Sequence, residues 1–323
     1  MNTLESLAET ISQSELSVPD TETSDRPLFV SVVIPVFNDQ DRLKLCLAAL
    51  EHQTYPQQCY EVIVVDNASE QDIKSVVEQF GQAKLAFEGQ PGSYAARNRG
   101  ISIAQGEIFA FTDADCIPDP HWIEKGVAKL LSVPNCGLVA GKITLFCQNP
   151  DRPTPVELFE RIELNFPQDE KLKNDHFGMT ANIFTFRAVF ETVGLFNSTL
   201  KSGGDREWGQ RVYAAGYQQV YAEDAWVAHP ARHSFSQLRT RITRLVGGSF
   251  DRFMSQNPSR IDIIKDFLGT FTPPFRSLYR AWTNEQLTSV PQKLQFYRVM
   301  FFARYVVASE KIRLYLGGSS QRG

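Results

Sequence analysis

Four short apolar runs, FVSVVIPVF (29–37), YEVIVVD (60–66), KLAFE (84–88) and EIFAFTDAD (107–115), are rich in β-branched and aromatic residues. They lack the in–out alternation of half-exposed strands, so both faces must be covered, as in a parallel sheet flanked by helices. The stretches between them have helical spacing: Leu43, Leu47 and Leu50; Ile73, Val76, Val77 and Phe80; Tyr94, Arg97, Ile101 and Ala104, with Gly106 placed as the C′ residue that ends the third helix. Strand and helix alternating through short connections imply right-handed βαβ units. Further along, GLVAGKITLF predicts a strand, PTPVELFERIELNF an amphipathic helix, and FGMTANIFTFRAVFETVG a strand entering a helix. The expected fold class is α/β with a mostly parallel sheet.

Composition narrows the partners. A chain of 323 residues with 42% apolar side chains can bury one large core or two modest ones, and a net charge of −4 argues against nucleic acid. Charge is segregated: residues 1–25 hold six acids and no base, whereas 232–323 hold fifteen Lys and Arg against five acids. Residues 1–26 read as a mobile acidic arm, unlike a secretory or mitochondrial leader. No apolar run approaches the ~18–20 residues that span a bilayer. Five scattered cysteines without a CxxC pair read as free thiols of a reducing cytoplasm.

An open parallel sheet binds ligands beyond the carboxyl ends of its strands. Those positions here are Asn38 and Asp39, Asp66 to Ser69, and Asp113 to Asp115. Carboxylates at three neighbouring strand ends repel one another unless a cation or hydrogen-bond donors lie among them. In the DAD triplet, Asp113 and Asp115 stand at i and i+2 and can share a hard cation or divide its binding with a ribose hydroxyl. Asp119, with Pro120 at the first helical position, suffices as the cap of the next helix, leaving the DAD unexplained by capping. IPVFNDQDRL has no GxGxxG fingerprint and the chain no Walker A loop, so phosphate falls to cations: a metal at the DAD and Arg97 of GSYAARNRG. A salt-bridging role for Arg97 is the alternative.

The ordered set VSVVIPVFND, EVIVVDNASEQD, PGSYAARNRGISIAQGEIFAFTDADC and SGGDREWGQRVYAAGY, over residues 29–231, resembles the family 2 glycosyltransferases of GT-A fold. The resemblance implies an inverting enzyme that uses Mg or Mn and a nucleotide diphosphate sugar, with a UDP-sugar favoured. It places Pro35, Val36 and Asn38 on the base and ribose, Asp66 on the base with Asn67 and Ser69 nearby, and Arg97 toward the diphosphate. Asp113 and Asp115 then divide the ribose and metal contacts, and His229 is a third metal ligand, with His233 a weaker substitute. Single displacement also needs a general base on the opposite face of the sugar. The family's ED pair becomes Gly204-Asp205 here, so Asp205 matches the base and Glu207 is the fallback. Asp205 also suits the N-terminus of the helix that follows, and capping and catalysis are compatible.

The GT-A domain is expected over 27–231, its nucleotide-binding half at about 27–116 and its acceptor half at about 117–231, with a basic amphipathic helical extension over 232–323. Thr180 and Asn182 are candidates for sugar hydroxyls or for core packing; Trp208 is a core residue or a sugar platform. LQFYRVMFFARYVVASEKIRLYL suits an interfacial helix or one packed on the catalytic domain. The acceptor is expected to be a saccharide or lipid-linked, in bacterial polysaccharide or glycolipid synthesis, with the enzyme cytoplasmic at the inner face of the membrane. A nucleotidyltransferase is disfavoured by the missing glycine-rich loop. A non-catalytic nucleotide-sugar-binding protein of the same fold is left open by the altered ED pair.

Overall fold

The computed structural model describes residues 27–321, so the acidic segment 1–26 lies outside the described residues. Strands β1 (Val30–Val36), β2 (Tyr60–Asp66), β3 (Ala83–Phe87) and β4 (Ile108–Thr112) form a parallel array in the order β3-β2-β1-β4. The four apolar runs thus become strands, and Val36 at the end of β1 stands in register with Asp66 at the end of β2. Past β4 the sheet becomes mixed. β4 pairs antiparallel with β7 (Asn182–Phe186), β7 antiparallel with β6 (Cys136–Phe146), β6 parallel with β8 (Gln218–Pro230), and β5 (Ile117–Pro118) antiparallel with β8 at the edge.

Both faces of the sheet are covered, as the unbroken apolar runs require. On one face, α1 (Gln40–Glu51), α2 (Ile73–Val77) and α4 (Trp122–Ser132) pack Leu43, Leu47, Ile73 and Trp122 on Val32, Ile34 and Val64. On the other, α3 (Ser93–Ile103), α7 (Arg187–Val193) and α8 (Gly204–Ala214) pack Ala96, Phe190 and Trp208 on Val33, Ile63 and Phe111. Two helix boundaries differ from the sequence reading. α3 ends at Ile103 with Ala104 as its cap, and Gly106 serves close packing instead, because a Cβ there would lie 2.5 Å from the Ser31 nitrogen. α4 begins at Trp122 rather than Pro120, since Asp119 spends its side chain on a turn, accepting from the His121 N–H at 2.9 Å.

A third core lies outside the sheet. α5 (Pro155–Glu163), opened by a Thr154–Glu157 capping box, packs Val156 and Phe159 against α9 (Phe235–Ser255) and α12 (Val290–Tyr315) through Leu238, Ile242, Phe296 and Met300. α6 (Gln168–Asp175) lies between α5 and β7; α10 (Arg260–Gly269) and α11 (Phe275–Thr283) connect α9 to α12. α12 is the centre of this helical layer, burying Phe296, Val299, Met300, Ala303 and Val306.

One ionic cluster fastens α9 to the remainder. Glu160 of α5 is fully buried; it accepts from Arg241 Nη1 of α9 at 2.9 Å and from the backbone N–H of Arg232 at 2.9 Å. Burial and the neighbouring Arg232 push the Arg241 guanidinium down to about 10, against the pull of Glu160. Removing one partner of a buried pair strands the other charge, so Glu160→Ala should destabilise the fold by about 3–5 kcal/mol, measured as a lowered urea midpoint. A midpoint shift worth less than ~1 kcal/mol would mean that Arg241 is solvated without its partner.

Candidate active site

A cavity of about 810 Å³ opens beyond the carboxyl ends of β1 and β4. Its walls are Pro35 and Val36 from β1, Asp113 to Asp115 after β4, His229 from β8, Asp205 from the first turn of α8, and Arg241, Arg244 and Arg252 from α9. Elements far apart in sequence therefore meet at the strand ends.

Of the residues expected to hold the nucleotide, Pro35, Val36, Asn67, Arg97 and Asp113 line this cavity, whereas Asn38, Asp66 and Ser69 are not among its lining residues. Those three shape the loops behind it. Asp66 Oδ1 accepts from the Ser69 N–H at 2.9 Å, Ser69 Oγ accepts from the Asn38 N–H at 2.9 Å, and Asn38 Oδ1 accepts from the Glu70 N–H at 2.7 Å. Asn38 and Ala68 turn the chain through left-handed conformations, φ 51° and 66°, that these cross-bonds must hold. Asn67 is pinned too: its amide donates to the Glu88 and Gln90 carbonyls at 2.9 and 2.8 Å and accepts from the Gly92 N–H at 2.6 Å, fixing the loop that enters α3.

The repulsion expected among the strand-end carboxylates is met largely by protein donors. Asp113 pairs with Arg97, whose guanidinium is buried apart from this contact and whose Nε has no partner. Asp39, at the start of α1, accepts from Arg42 Nε at 2.8 Å, while burial pushes its carboxyl above its ordinary value against that attraction. Asp115 differs. Arg42 Nη1 stays 3.9 Å away, and among the described residues no nitrogen or oxygen donor reaches Asp115 at hydrogen-bond distance. His229, 5% exposed, brings Nε2 to 3.6 Å from Asp115 Oδ1, and its ring packs on Phe166 at 4.9 Å.

Asp115, Cys116 and His229 bring one ligand atom each to within 4.8 Å of one another. Burial pushes the Cys116 thiol well above its ordinary value, so it stays protonated and is a poor ligand for a hard ion. A carboxylate oxygen and an imidazole nitrogen facing a polar cavity fit a divalent ion such as Mn, with further positions open to ligand or water oxygens. Asp113 has one oxygen committed to Arg97, whereas neither oxygen of Asp115 is committed to a nitrogen or oxygen donor among the described residues. His233 is exposed and absent from the cavity lining; its backbone N–H donates to Gln237 Oε1 and its carbonyl accepts from the Thr154 hydroxyl.

Asp205, on the α8 wall of the cavity, is half-buried, and its Oδ1 accepts from the Tyr94 hydroxyl at 3.3 Å and from the Arg206 N–H at 2.9 Å. No donor among the described residues reaches Oδ2. Burial pushes its carboxyl above the ordinary value, opposed by the Arg206 N–H, Arg97 and Tyr94. Tyr94 explains the missing glutamate of the ED pair: a Cβ at position 204 would lie 2.7–2.8 Å from its ring, so glycine makes room for the side chain that orients Asp205. Glu207 points elsewhere, forming a two-pronged pair with Arg211 at 2.8 and 3.1 Å, and does not line the cavity.

Other sequence candidates have structural roles. Asn182 is fully buried outside the cavity lining, accepting from Trp122 Nε1 at 2.8 Å and donating to the Lys142 and Ala225 carbonyls at 2.9 Å, so its amide is held inside the core and does not face a sugar. Thr180 does line the cavity. Trp208 is core, stacked on Phe190 at 4.6 Å. Sequence reasoning missed Tyr94, which its helical spacing marked as core, and the wall built by α9. Arg241, Arg244, Leu245, Gly248 and Arg252 recur at three- and four-residue steps, a single helix face that the sequence does display.

The profile described as Glycosyl transferase family 2 matches residues 31–194. Glycosyltransferase AglE of Haloferax volcanii is 38% identical over 237 residues, covering 72% of this chain and 76% of the relative. The pre-mycofactocin glycosyltransferase of Mycobacterium tuberculosis is 29% identical over 244 residues, 72% of this chain but 48% of that protein. Among solved structures, a mannosyltransferase from Pyrobaculum calidifontis in complex with GDP-Man and Mn2+ shares the fold with a TM-score of 0.59 and 18% identity, over 90% of this chain and 88% of that one. The strand-end cavity, the α/β sheet and these matches agree: the chain is a GT-A glycosyltransferase and belongs to glycosyl transferase family 2.

Proposed function

We propose that this enzyme moves a sugar from a nucleoside diphosphate to an acceptor hydroxyl by metal-assisted single displacement with inversion. The observation that carries the reading is that two kinds of carboxylate line one cavity: Asp115 beside His229, with no nitrogen or oxygen donor of its own among the described residues, and Asp205 on the α8 wall with only Oδ1 engaged by donors. In this reading Pro35, Val36 and the Asn67-pinned loop hold the nucleoside, with Asn38, Asp66 and Ser69 shaping that pocket from behind. Asp113 and the buried Arg97 hold ribose and diphosphate, Arg97 Nε offering an unused donor. Asp115 and His229 would hold Mg or Mn, which when bound supplies positive charge for the diphosphate as it leaves.

The chain's own residues then do the proton work. The acceptor oxygen attacks the anomeric carbon, its proton passes to Asp205 Oδ2, and the bond from that carbon to the diphosphate oxygen breaks with the electron pair leaving on the diphosphate. Tyr94 keeps Oδ1 occupied, so the free oxygen faces the acceptor. Burial favours the proton on Asp205 and makes it a stronger base than an exposed aspartate. A UDP-sugar is the favoured donor from the sequence resemblance, and the GDP-Man of the Pyrobaculum enzyme makes a GDP-sugar the second to test.

The helical layer suits an acceptor held at a bilayer, in polysaccharide or glycolipid assembly. No helix among the described residues is long and apolar enough to cross a membrane. Yet α11 turns Phe275, Tyr279 and Trp282 outward at i, i+4 and i+7, with exposures of 73%, 72% and 55%, and α10 exposes Ile261, Ile264 and Leu268. Arg276 and Arg280 flank this apolar stripe. A helix of that kind lies in the headgroup region, apolar face down and cations at the anionic surface.

With Mn2+ and UDP- or GDP-sugars, release of nucleoside diphosphate should depend on metal. Asp115→Ala should weaken metal-dependent donor binding by at least about tenfold, whereas Asp205→Asn should leave donor affinity intact and lower turnover by roughly 10²–10⁴-fold. Because the folded state favours protonated Asp205, its charge opposes folding above its unfolded pKa. Asp205→Asn should therefore raise Tm at neutral pH, and wild-type turnover should fall on acidification at a pH above the ordinary aspartate range. Equal loss of donor affinity in both variants would contradict this division of roles. On vesicles containing anionic lipid, Trp282 fluorescence should shift to the blue and Phe275→Ser should weaken binding by about tenfold; unchanged binding would remove α11 from the contact.

A further inference from the structure

The basic end of the cavity has no role in the transfer described so far. Lys201, Arg206, Arg232, Arg241, Arg244 and Arg252 all line it. Four are already satisfied. Arg206 pairs with Asp175, Arg232 and Arg241 with Glu160, and Lys201 donates to the Ser320 carbonyl and hydroxyl at 2.8 and 2.6 Å. Arg244 and Arg252, both half-buried, have no carboxylate, carbonyl or hydroxyl partner among the described residues. Burial and the nearby Arg206 cation press the Arg252 guanidinium below its ordinary value, against the attraction of Asp205 and Asp175, neither of which comes within hydrogen-bond distance of it.

The placement of these two cations selects the ligand. α9 is brought against the loop before α8 by Gly248, where a Cβ would lie 2.6 Å from the Ser202 Cβ. Arg252 thereby reaches over Gly203, its Nη1 2.7 Å from the position a Cβ there would take, two residues from Asp205. Arg252 stands on the Asp205 side of the cavity, and Arg244 lines the same cavity further back along α9. Arg244 and Arg252 leave the helix about 12 Å apart along its axis, so an anion that meets both forks needs several oxygens. A phosphate or diphosphate meets both, whereas a carboxylate, with two oxygens, satisfies one fork.

We infer that Arg244 and Arg252 of α9 bind a phosphate or diphosphate group carried by the acceptor, holding its hydroxyl near Asp205. The assignment rests on the transfer reading above, in which Asp205 faces the acceptor. A phosphate at this end anchors the acceptor by charge, and a lipid chain attached to it would leave through the open side of the cavity.

The test is calorimetric binding to the full chain of dodecyl phosphate, dodecanol and inorganic pyrophosphate, with UDP or GDP and Mn2+ present to fill the donor end. Dodecyl phosphate should bind and dodecanol should not. The Arg244→Ala/Arg252→Ala double variant should weaken dodecyl phosphate by about tenfold or more, and Arg244→Lys/Arg252→Lys should retain most of the affinity. Affinity for UDP or GDP with Mn2+, titrated alone, should change by less than about twofold in both. Unchanged dodecyl phosphate binding in the alanine variant would overturn the inference. So would a parallel loss of nucleotide affinity, which would assign the arginines to the donor diphosphate, and so would binding of pyrophosphate without dodecyl phosphate, which marks a free-anion site. A wild-type chain that binds dodecyl phosphate but no nucleotide would instead defeat the transfer reading, and with it the acceptor assignment.

Discussion

Charge of both signs held around one half-buried cavity is the constraint on which the rest of this structure depends. A parallel sheet concentrates strand ends at one rim, and here those ends bring Asp39, Asp66, Asp113 and Asp115 together. Most are neutralised by the protein itself: Asp66 by a backbone N–H, Asp39 by Arg42, and Asp113 by Arg97. Among the described residues the exception is Asp115, and the proposed cation site rests on that exception. In the same cavity the logic runs with the opposite sign: Glu160 satisfies Arg232 and Arg241, Asp175 satisfies Arg206 of α8, and among the described residues Arg244 and Arg252 are left without a hydrogen-bonding partner.

The helical extension is therefore part of the site. α9 closes the cavity because Glu160 anchors it at one end and Gly248 allows contact with the loop before α8. Tyr94 performs a comparable service in the sheet domain, filling the space that Gly204 vacates and holding one oxygen of Asp205. A departure from the family's motif is thus compensated by a side chain more than a hundred positions away, and the carboxylate survives in an oriented state.

Local pattern made the parallel half of the sheet readable, since each of its four strands is an unbroken β-branched run and each following helix has a clear apolar spacing. Asp113, Asp115, Asp205 and His229 could be found from motif order, and all four meet at the cavity. Long-range hydrogen bonding decided what sequence could not. Asn182 had the right chemistry for a sugar, but three buried partners consume it; Glu207 had the right charge, but Arg211 one turn along the helix takes it. Asn38, Asp66 and Ser69 bond to one another because their loops cross at neighbouring strand ends, a register that no single segment encodes. The basic face of α9 was visible as spacing, while its position depended on a contact through Glu160 from α5.

The most direct test of the whole arrangement is a crystal structure with Mn2+ and a non-hydrolysable nucleotide sugar, locating the cation and the anomeric carbon. The account predicts the cation on Asp115 and His229, with Asp205 on the face of the sugar opposite the diphosphate. A nucleotide bound away from the ends of β1 and β4, or a sugar whose diphosphate and Asp205 lie on the same face, would contradict it.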